Sequence, residues 1–317
     1  MAVRPFADDG VWLRCQFHCH TTRSDGTPEP ADLAAHYADA GFDVLAVTDH
    51  WNVTMPVLED LLVIPASELS ARLDRLPFEA EVLALGIDEL PEPREEFATL
   101  AACAEWIVAQ GGVAFLAHPR WSMLDPDDYR SAPGLSGLEV FNGGCEVQQG
   151  TGVSDHLWDA LLDAGLRPTA IATDDAHDAG SPDGSDSLLG WTMVRAAERS
   201  REAVLEALRD GAFYASAGPG IDDVVVGEDG SVDVRCSPAA AVVLRSGPWD
   251  GGRVNSDPVV ADYRAAILER DDAGLIVRAR LEPPEFCDWG RVEVLDDAGR
   301  RAWTNAIDLP GVRALYR

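Results

Sequence analysis

From residue 11 to about 216 short apolar runs alternate with helical segments, each closed by turn residues, and this β/α texture constrains the fold more than any other feature. Runs at 11–17, 42–48, 61–66, 81–87, 112–118, 137–141, 168–173 and 190–196 read as strands. PEPADLAAHYADAG enters a helix on Pro28 and Pro30 and leaves it at Gly41. EEFATLAACAEWIVAQGG, SDHLWDALLDAG and SREAVLEALRDG close on glycines in the same way. Strand counting does not decide whether such units close into a barrel or stay an open sheet. After GAFYASAGPG (211–220) apolar and polar positions alternate around DG, DDAG and GG turns, which reads as all-β. The expected layout is a β/α domain over 1–218 and a small sandwich-like β domain over 219–317.

Composition removes several function classes. The 25 basic residues are all arginine, so a Schiff-base lysine, a pyridoxal-phosphate anchor and the lysine of an ATP-binding glycine loop are excluded. With 55 acidic residues the net charge is −30, which argues against extended nucleic-acid or anionic-membrane binding. A small positive pocket for a small anionic substrate, a short nucleotide included, stays compatible. Cys15, Cys19, Cys103, Cys145, Cys236 and Cys287 lie far apart without a CxxC pair, as expected in a reducing compartment. The amino end lacks the pattern of a cleaved leader, and no stretch reaches 18 apolar residues. A soluble, cytoplasmic protein is expected. FHCHTTRSDG, after the first strand, is not a dinucleotide-binding glycine fingerprint.

Five of the seven histidines fall where an apolar run ends. His18 and His20 alternate along an extended segment, so both imidazoles face one side, about 6.6 Å apart, with Cys19 facing away. Asp25 follows in a TTRSDG turn. VLAVTDH delivers His50, LLVIPASE delivers Glu68, GVAFLAHP ends on His118 before Pro119, and PTAIATDDAH supplies Asp175 and His177. In β/α folds that strand edge is where sites form. Eight ionisable groups gathered there without cations would leave charges unpaired, whereas two or three ions of zinc, manganese or iron relieve this, with Glu68 suited to bridge. Arg23 and Arg120 adjoin these residues and are candidates to clamp a phosphate or carboxylate. Asp49 and Asp174 are candidates to orient imidazoles. Glu139 and Asn142 close a strand near the same edge. Trp51 and Trp121 are candidates for a pocket wall or the core, and mid-helix His36 and His156 read as surface or packing residues.

These residues resemble the polymerase and histidinol phosphatase (PHP) family: FHCHTTRSDG its first motif, VTDH its second, the HP of AHPR its third and DDAH its last. The resemblance covers roughly residues 12 to 216. It implies a distorted (β/α)₇ barrel carrying a two- or three-metal cluster used in phosphoester hydrolysis. Carried over, His18, His20, Glu68 and Asp175 hold one ion, Glu68 and His118 a second, and Asp25, His50 and His177 a third. Asp25 stands where some members have histidine, and His118 leaves the second ion short of ligands. The stretches ALRDGAFYASAGP and RAWTNAI resemble the extension of a branch that includes carbamate and ester hydrolases.

The expected function is therefore a metal-dependent phosphoesterase that hydrolyses a small phosphorylated metabolite or nucleotide through a metal-bridging hydroxide. His50 or His177 would assist the leaving oxygen if the third ion is absent. An ester, amide or carbamate hydrolase on the same site is the alternative, and a non-catalytic, metal-stabilised binding module a third reading.

Overall fold

The computed structural model describes residues 5–6, 10–73, 75–180, 186–247, 250–284 and 288–309; Cys287 lies outside them. The first half runs β1 (Val11–Gln16), α1 (Pro30–Asp39), β2 (Val44–Leu45), β3 (Leu62–Val63), β4 (Ala66–Ala71), β5 (Ala80–Leu85), α2 (Leu100–Ala109), β6 (Val113–Leu116), α3 (Pro126–Arg130) and β7 (Gly137–Asn142). It continues through α4 (Gly143–Gln149), α5 (Asp155–Asp163), β8 (Thr169–Thr173), β9 (Trp191–Ala196), α6 (Arg201–Asp210) and β10 (Phe213–Ser216). The helix signals act as expected: Pro30 opens α1, Thr99 caps α2 by accepting from the Ala102 N–H, and Gly211 ends α6 at φ 71°. Two short helices, α3 and α4, carry no apolar period and were not expected from the sequence.

The strands pair differently from a run of uniform β/α units. β6, β7 and β8 are parallel, as are β1, β2 and β3, but β5 is antiparallel to both β4 and β6. Among the described residues no helix separates β4 from β5, and the 72–79 connection is too short for the crossover that a parallel pair needs. The described strands form a five-stranded sheet in the order β4-β5-β6-β7-β8 and a larger sheet containing β9-β1-β2-β3, with no continuous ladder closing one on the other. Both sheets nonetheless share one core, in which Phe17 and Ile64 meet Leu83, Phe115 and Ile171. At their carboxyl edges they are joined by single hydrogen bonds: Asp175 N–H to His18 C=O at 2.8 Å, His20 N–H to Ala176 C=O at 2.9 Å, and Glu68 N–H to Thr48 C=O at 3.1 Å. The carboxyl ends of β1, β2 and β8 therefore meet one another and the first half of β4.

Every described element beyond β10 is a strand: β11 (Ile221–Val226), β12 (Val232–Ala239), β13 (Ala241–Ser246), β14 (Asp250–Asn255), β15 (Ala265–Arg270), β16 (Ile276–Leu281), β17 (Trp289–Leu295), β18 (Arg301–Thr304) and β19 (Ile307–Asp308). The sheet β11-β12-β16-β15 lays Val224, Val234 and Ile276 against Val242, Leu244, Val292 and Val294 of β13 and β17, two layers around one apolar interior. β10 pairs with both β9 and β18, with Ser216 opposite Ala302. The larger sheet thus runs without a break from β3 to β14, across residue 218.

A buried ion network joins the two regions. Arg291 of β17 is fully buried; its Nε and Nη2 donate to Asp159 Oδ1 of α5 at 2.9 and 2.8 Å, and its Nη1 donates to Glu293 at 2.5 Å. The guanidinium also lies 4.8 Å from the Trp158 ring centroid. Among the described residues no helix is long and apolar enough to cross a membrane.

Candidate metal centre

The first motif is shaped by Asp49. Its carboxylate accepts from the Thr21 N–H at 2.7 Å, the Thr21 hydroxyl at 2.6 Å, Ser24 at 2.8 Å and Thr54 at 2.6 Å, tying the 21–26 turn to the end of β2. A Cβ on Gly26 would lie 2.4 Å from the His20 carbonyl carbon, so the turn closes only over glycine. Thr27 N–H donates to the His177 carbonyl at 2.7 Å, which brings the turn against the last motif. Asp49 thus folds a turn and, among the described residues, meets an imidazole only through Ser24, whose hydroxyl lies 3.4 Å from His20 Nδ1. Asp174 likewise accepts from the Leu188, Leu189 and Gly190 N–H groups and the Tyr37 hydroxyl. Burial raises its pKa to about 6 against those hydrogen bonds.

Around this frame the candidate ligands converge. His18 Nε2 lies 3.1 Å from both Glu68 Oε2 and Asp175 Oδ1; His20 Nε2 lies 3.3 and 3.2 Å from the same two oxygens. These four form one group with ligand atoms within 4.8 Å of one another. His20, Asp25, His50 and His177 form a second such group and His50, Glu68 and Glu81 a third. His118 Nε2 approaches Glu68 Oε1 at 3.3 Å and Glu81 Oε2 at 3.4 Å, so it meets the Glu68 oxygen that His18 and His20 do not. All eight sequence-nominated residues therefore belong to one cluster. Two imidazoles face two ways: His50 presents Nε2 to Asp25 at 3.6 Å and Nδ1 to Glu68 at 3.5 Å, and His20 turns Nδ1 towards Asp25 at 3.5 Å.

Glu81 is the residue that the sequence reading missed. It opens the apolar run EVLALGI, and a carboxylate within a buried strand needs a partner, which was the available signal. Glu139 is drawn in as well. It accepts from His18 Nδ1 at 2.8 Å, the His118 N–H at 2.6 Å, Thr173 at 2.5 Å and Asn142 at 2.9 Å. Asn142 also donates to Asp175 at 3.2 Å. Glu139 fixes the His18 tautomer and leaves Nε2 facing the carboxylates, while Ser122, 2.8 Å from His118 Nδ1, can do the same for His118. Replacing Glu139 with glutamine is expected to weaken metal affinity about 10- to 100-fold, measurable by competition with a chromogenic chelator, without displacing any ligand.

The arrangement fits cations by an observation independent of motifs. His20 Nε2 is buried without a hydrogen-bond partner although two carboxylate oxygens lie beside it, a placement that suits ligation of a shared ion. Backbone strain marks the same positions: His118, Asp175 and Trp51 all have positive φ, at 27°, 55° and 53°. In the metal-free chain burial pulls the His20 pKa down, but the close approach and negative charge of Asp175 and Glu68 outweigh it and raise it to about 10. His118 reaches about 9 by the same balance, mainly through Glu68. Burial, then the charge of Glu68, raises Glu81; Glu68 itself is held low, despite burial, by His18 and His118. Ligation needs neutral imidazole, so metal uptake at pH 7 is expected to release protons, and apparent affinity to rise with pH. Calorimetric titration in buffers of different ionisation enthalpy measures this.

The other nominated residues lie around the cluster. Arg23 and Arg120 are exposed. Trp51 is half-buried and stacks on Phe97, whereas Trp121, 42 % exposed, meets the His118 ring edge-on at 5.1 Å. His36 packs on Tyr37 and lies 3.1 Å from Ser187, and His156 is exposed.

No protein-family model matches the sequence, and no curated protein matches it. Among solved structures, a two-domain protein from Bacteroides vulgatus, described as containing a predicted PHP-like metal-dependent phosphoesterase, aligns over 96 % of this chain and 97 % of its own, with TM-score 0.51 and 20 % identity. The chain shares the overall fold of that protein. An amidohydrolase from Chromobacterium violaceum with bound sulfate aligns over 54 % of this chain and 90 % of its own, at TM-score 0.39 and 17 % identity. A protein from Bifidobacterium adolescentis, named as a metal-dependent phosphoesterase, aligns over 57 % and 92 %, at TM-score 0.39 and 16 % identity. The branch read from ALRDGAFYASAGP and RAWTNAI rests on those stretches alone.

Proposed function

We propose that this chain is a PHP-family hydrolase that uses two or three divalent ions (zinc, manganese or iron) to cleave a small phosphoester, a nucleotide or other phosphorylated metabolite. The observation that carries the reading is the orphaned His20 Nε2 beside Glu68 and Asp175, inside a cluster of six more metal-ligating side chains. His18, His20, Glu68 and Asp175 would hold one ion. Glu68, Glu81, His118 and the Nδ1 face of His50 would hold a second; Asp25, His50 and His177, with the Nδ1 face of His20, would hold a third. The strand tips are read as those of a distorted barrel, the 1–218 unit, with 219–317 as its β appendage.

When bound, such ions acidify a shared water and take up negative charge on the substrate oxygens. The chain's own groups position and neutralise. Glu139 and Ser122 hold the His18 and His118 rings so that their Nε2 atoms face inward. Arg23, two residues before Asp25, and Arg120, two residues beyond His118, would neutralise a substrate anion in a protein of net charge −30. Where the third ion is absent, His50 and His177 are the imidazoles nearest solvent, 30 and 31 % exposed, and can pass a proton to the leaving oxygen. That exposure, with Asp25 at 54 %, favours a working site over a sealed structural one.

The test is phosphate release from a panel of mono- and diesters with manganese, zinc or iron added, alongside His20→Ala. Metal-dependent release that the substitution abolishes is expected. Hydrolysis of aryl esters or carbamates in place of phosphoesters would move the reading to a carbonyl electrophile, and release unchanged by the substitution would remove it.

A further inference from the structure

A cavity of about 580 Å³ lies beside the ligand cluster, between the α4–α5 region and the β17–β18 turn. Its walls are tied directly to the centre. Phe141 precedes Asn142, which donates to Asp175 at 3.2 Å; the Leu188 and Leu189 N–H groups hold Asp174, next to Asp175; and the Arg120 N–H donates to Ser154 at 3.1 Å, two residues beyond His118. The far wall comes from the β region: Trp303, stacked on Phe141 with ring centroids 6.2 Å apart, and Arg300 and Arg301 of the turn.

The lining combines an apolar face with five charged residues, Arg120, Glu146, Asp155, Arg300 and Arg301. Val147, Val153 and Leu189 add to the two aromatic rings. The carboxylates are already engaged: Glu146 accepts from the Gly152 N–H at 3.0 Å and Asp155 pairs with Arg301 at 3.2 Å. The Arg120 guanidinium has no partner among the described residues, so the mouth next to His118 carries an uncompensated positive charge. A volume within the small-molecule range, one apolar face and a single arginine left unpaired among the described residues, while Arg300 and Arg301 pair with Asp296 and Asp155, describe a site for part of an organic anion.

We propose that this groove binds the leaving-group side of the substrate, and that the substrate is an anion ester with a ring-sized apolar body, lying between Phe141, Leu189 and Val147 with its charged end at Arg120 and the ligand cluster. This deepens the proposed function and rests on it. It also gives the β region a direct role: the turn at 296–301 closes one side of the groove, so selectivity for the leaving group is set by both halves of the chain.

The experiment compares binding of naphthalen-1-ylmethylphosphonate and methylphosphonate, neither of which can be hydrolysed, to the manganese-loaded full-length protein by calorimetry. The naphthyl compound is expected to bind about tenfold more tightly or better, from the apolar area it buries. Val147→Asp and Leu189→Asp are expected to bring the ratio of the two dissociation constants close to one. Val147 is 47 % exposed, so its variant tests the groove even if Leu189→Asp fails to fold. Methylphosphonate binding without a gain for the naphthyl compound, or a gain that survives Val147→Asp, overturns the groove assignment and leaves the metal-dependent reading intact. Failure of both compounds to bind overturns both.

Discussion

Glu68→Ala is expected to lower metal-dependent turnover about a thousandfold, because losing a shared ligand forfeits several kcal/mol of charge stabilisation in the transition state. Among the described carboxylates it faces the most candidate imidazoles, four of them. Glu68 Oε2 faces His18, His20 and His50, while Oε1 faces His118. Its backbone is held independently by β4 pairing and the Thr48 carbonyl, so the fold should survive the substitution. Circular dichroism and the melting temperature check folding, and metal analysis should show the loss of more than one ion. Asp25→Ala is the contrast: Asp25 is 54 % exposed and, of the candidate ligands, meets His20, His50 and His177, so its loss should empty the outer group alone. Equal retention of metal by Glu68→Ala and the unsubstituted protein would contradict the bridging role.

Arg291→Met is expected to cost about 3–5 kcal/mol of stability, the usual penalty for removing one partner of a buried ion network, and to lower the melting temperature by roughly 10 °C. The fully buried guanidinium satisfies Asp159 and Glu293, and without it Glu293 loses its close cation while Asp159 keeps only Arg245, at 2.6 Å. The site should be unaffected, because none of these residues contacts a candidate ligand. A paired Arg291→Met and Glu293→Leu variant should recover part of the loss, since removing both members leaves less unpaired charge than removing one. Chemical denaturation measures all three, and a loss below about 1 kcal/mol for Arg291→Met would show that the network does not hold the β region to α5.

The sequence made the candidate site more legible than the sheet topology. Histidines and carboxylates recur at strand ends, and period-two spacing in FHCH and DDAH fixes which side chains share a face. That local rule survives any arrangement of the strands. Strand direction is different: EVLALGI reads identically whether β5 runs parallel or antiparallel, and only the short 72–79 connection bears on it. Glu81 escaped for a related reason, since one charged residue at the head of an apolar run looks like a solvated strand end. Glu139 was visible as a carboxylate inside GLEVF, but its four hydrogen bonds come from β1, β6, β7 and β8 tips that only the tertiary fold brings together. Asp49 and Asp174 show the converse. Both adjoin histidine-bearing motifs, yet backbone N–H groups and hydroxyls in tight turns capture both carboxylates before any imidazole does.

The central claim is that these strand tips are built around cations, and metal analysis of the purified, unsubstituted protein tests it most directly. After loading with manganese or zinc and removal of excess ion, elemental analysis should find about two or three equivalents per chain, with proton release on uptake. A chain that takes up no stoichiometric metal under any of these conditions, while remaining folded, would contradict the account.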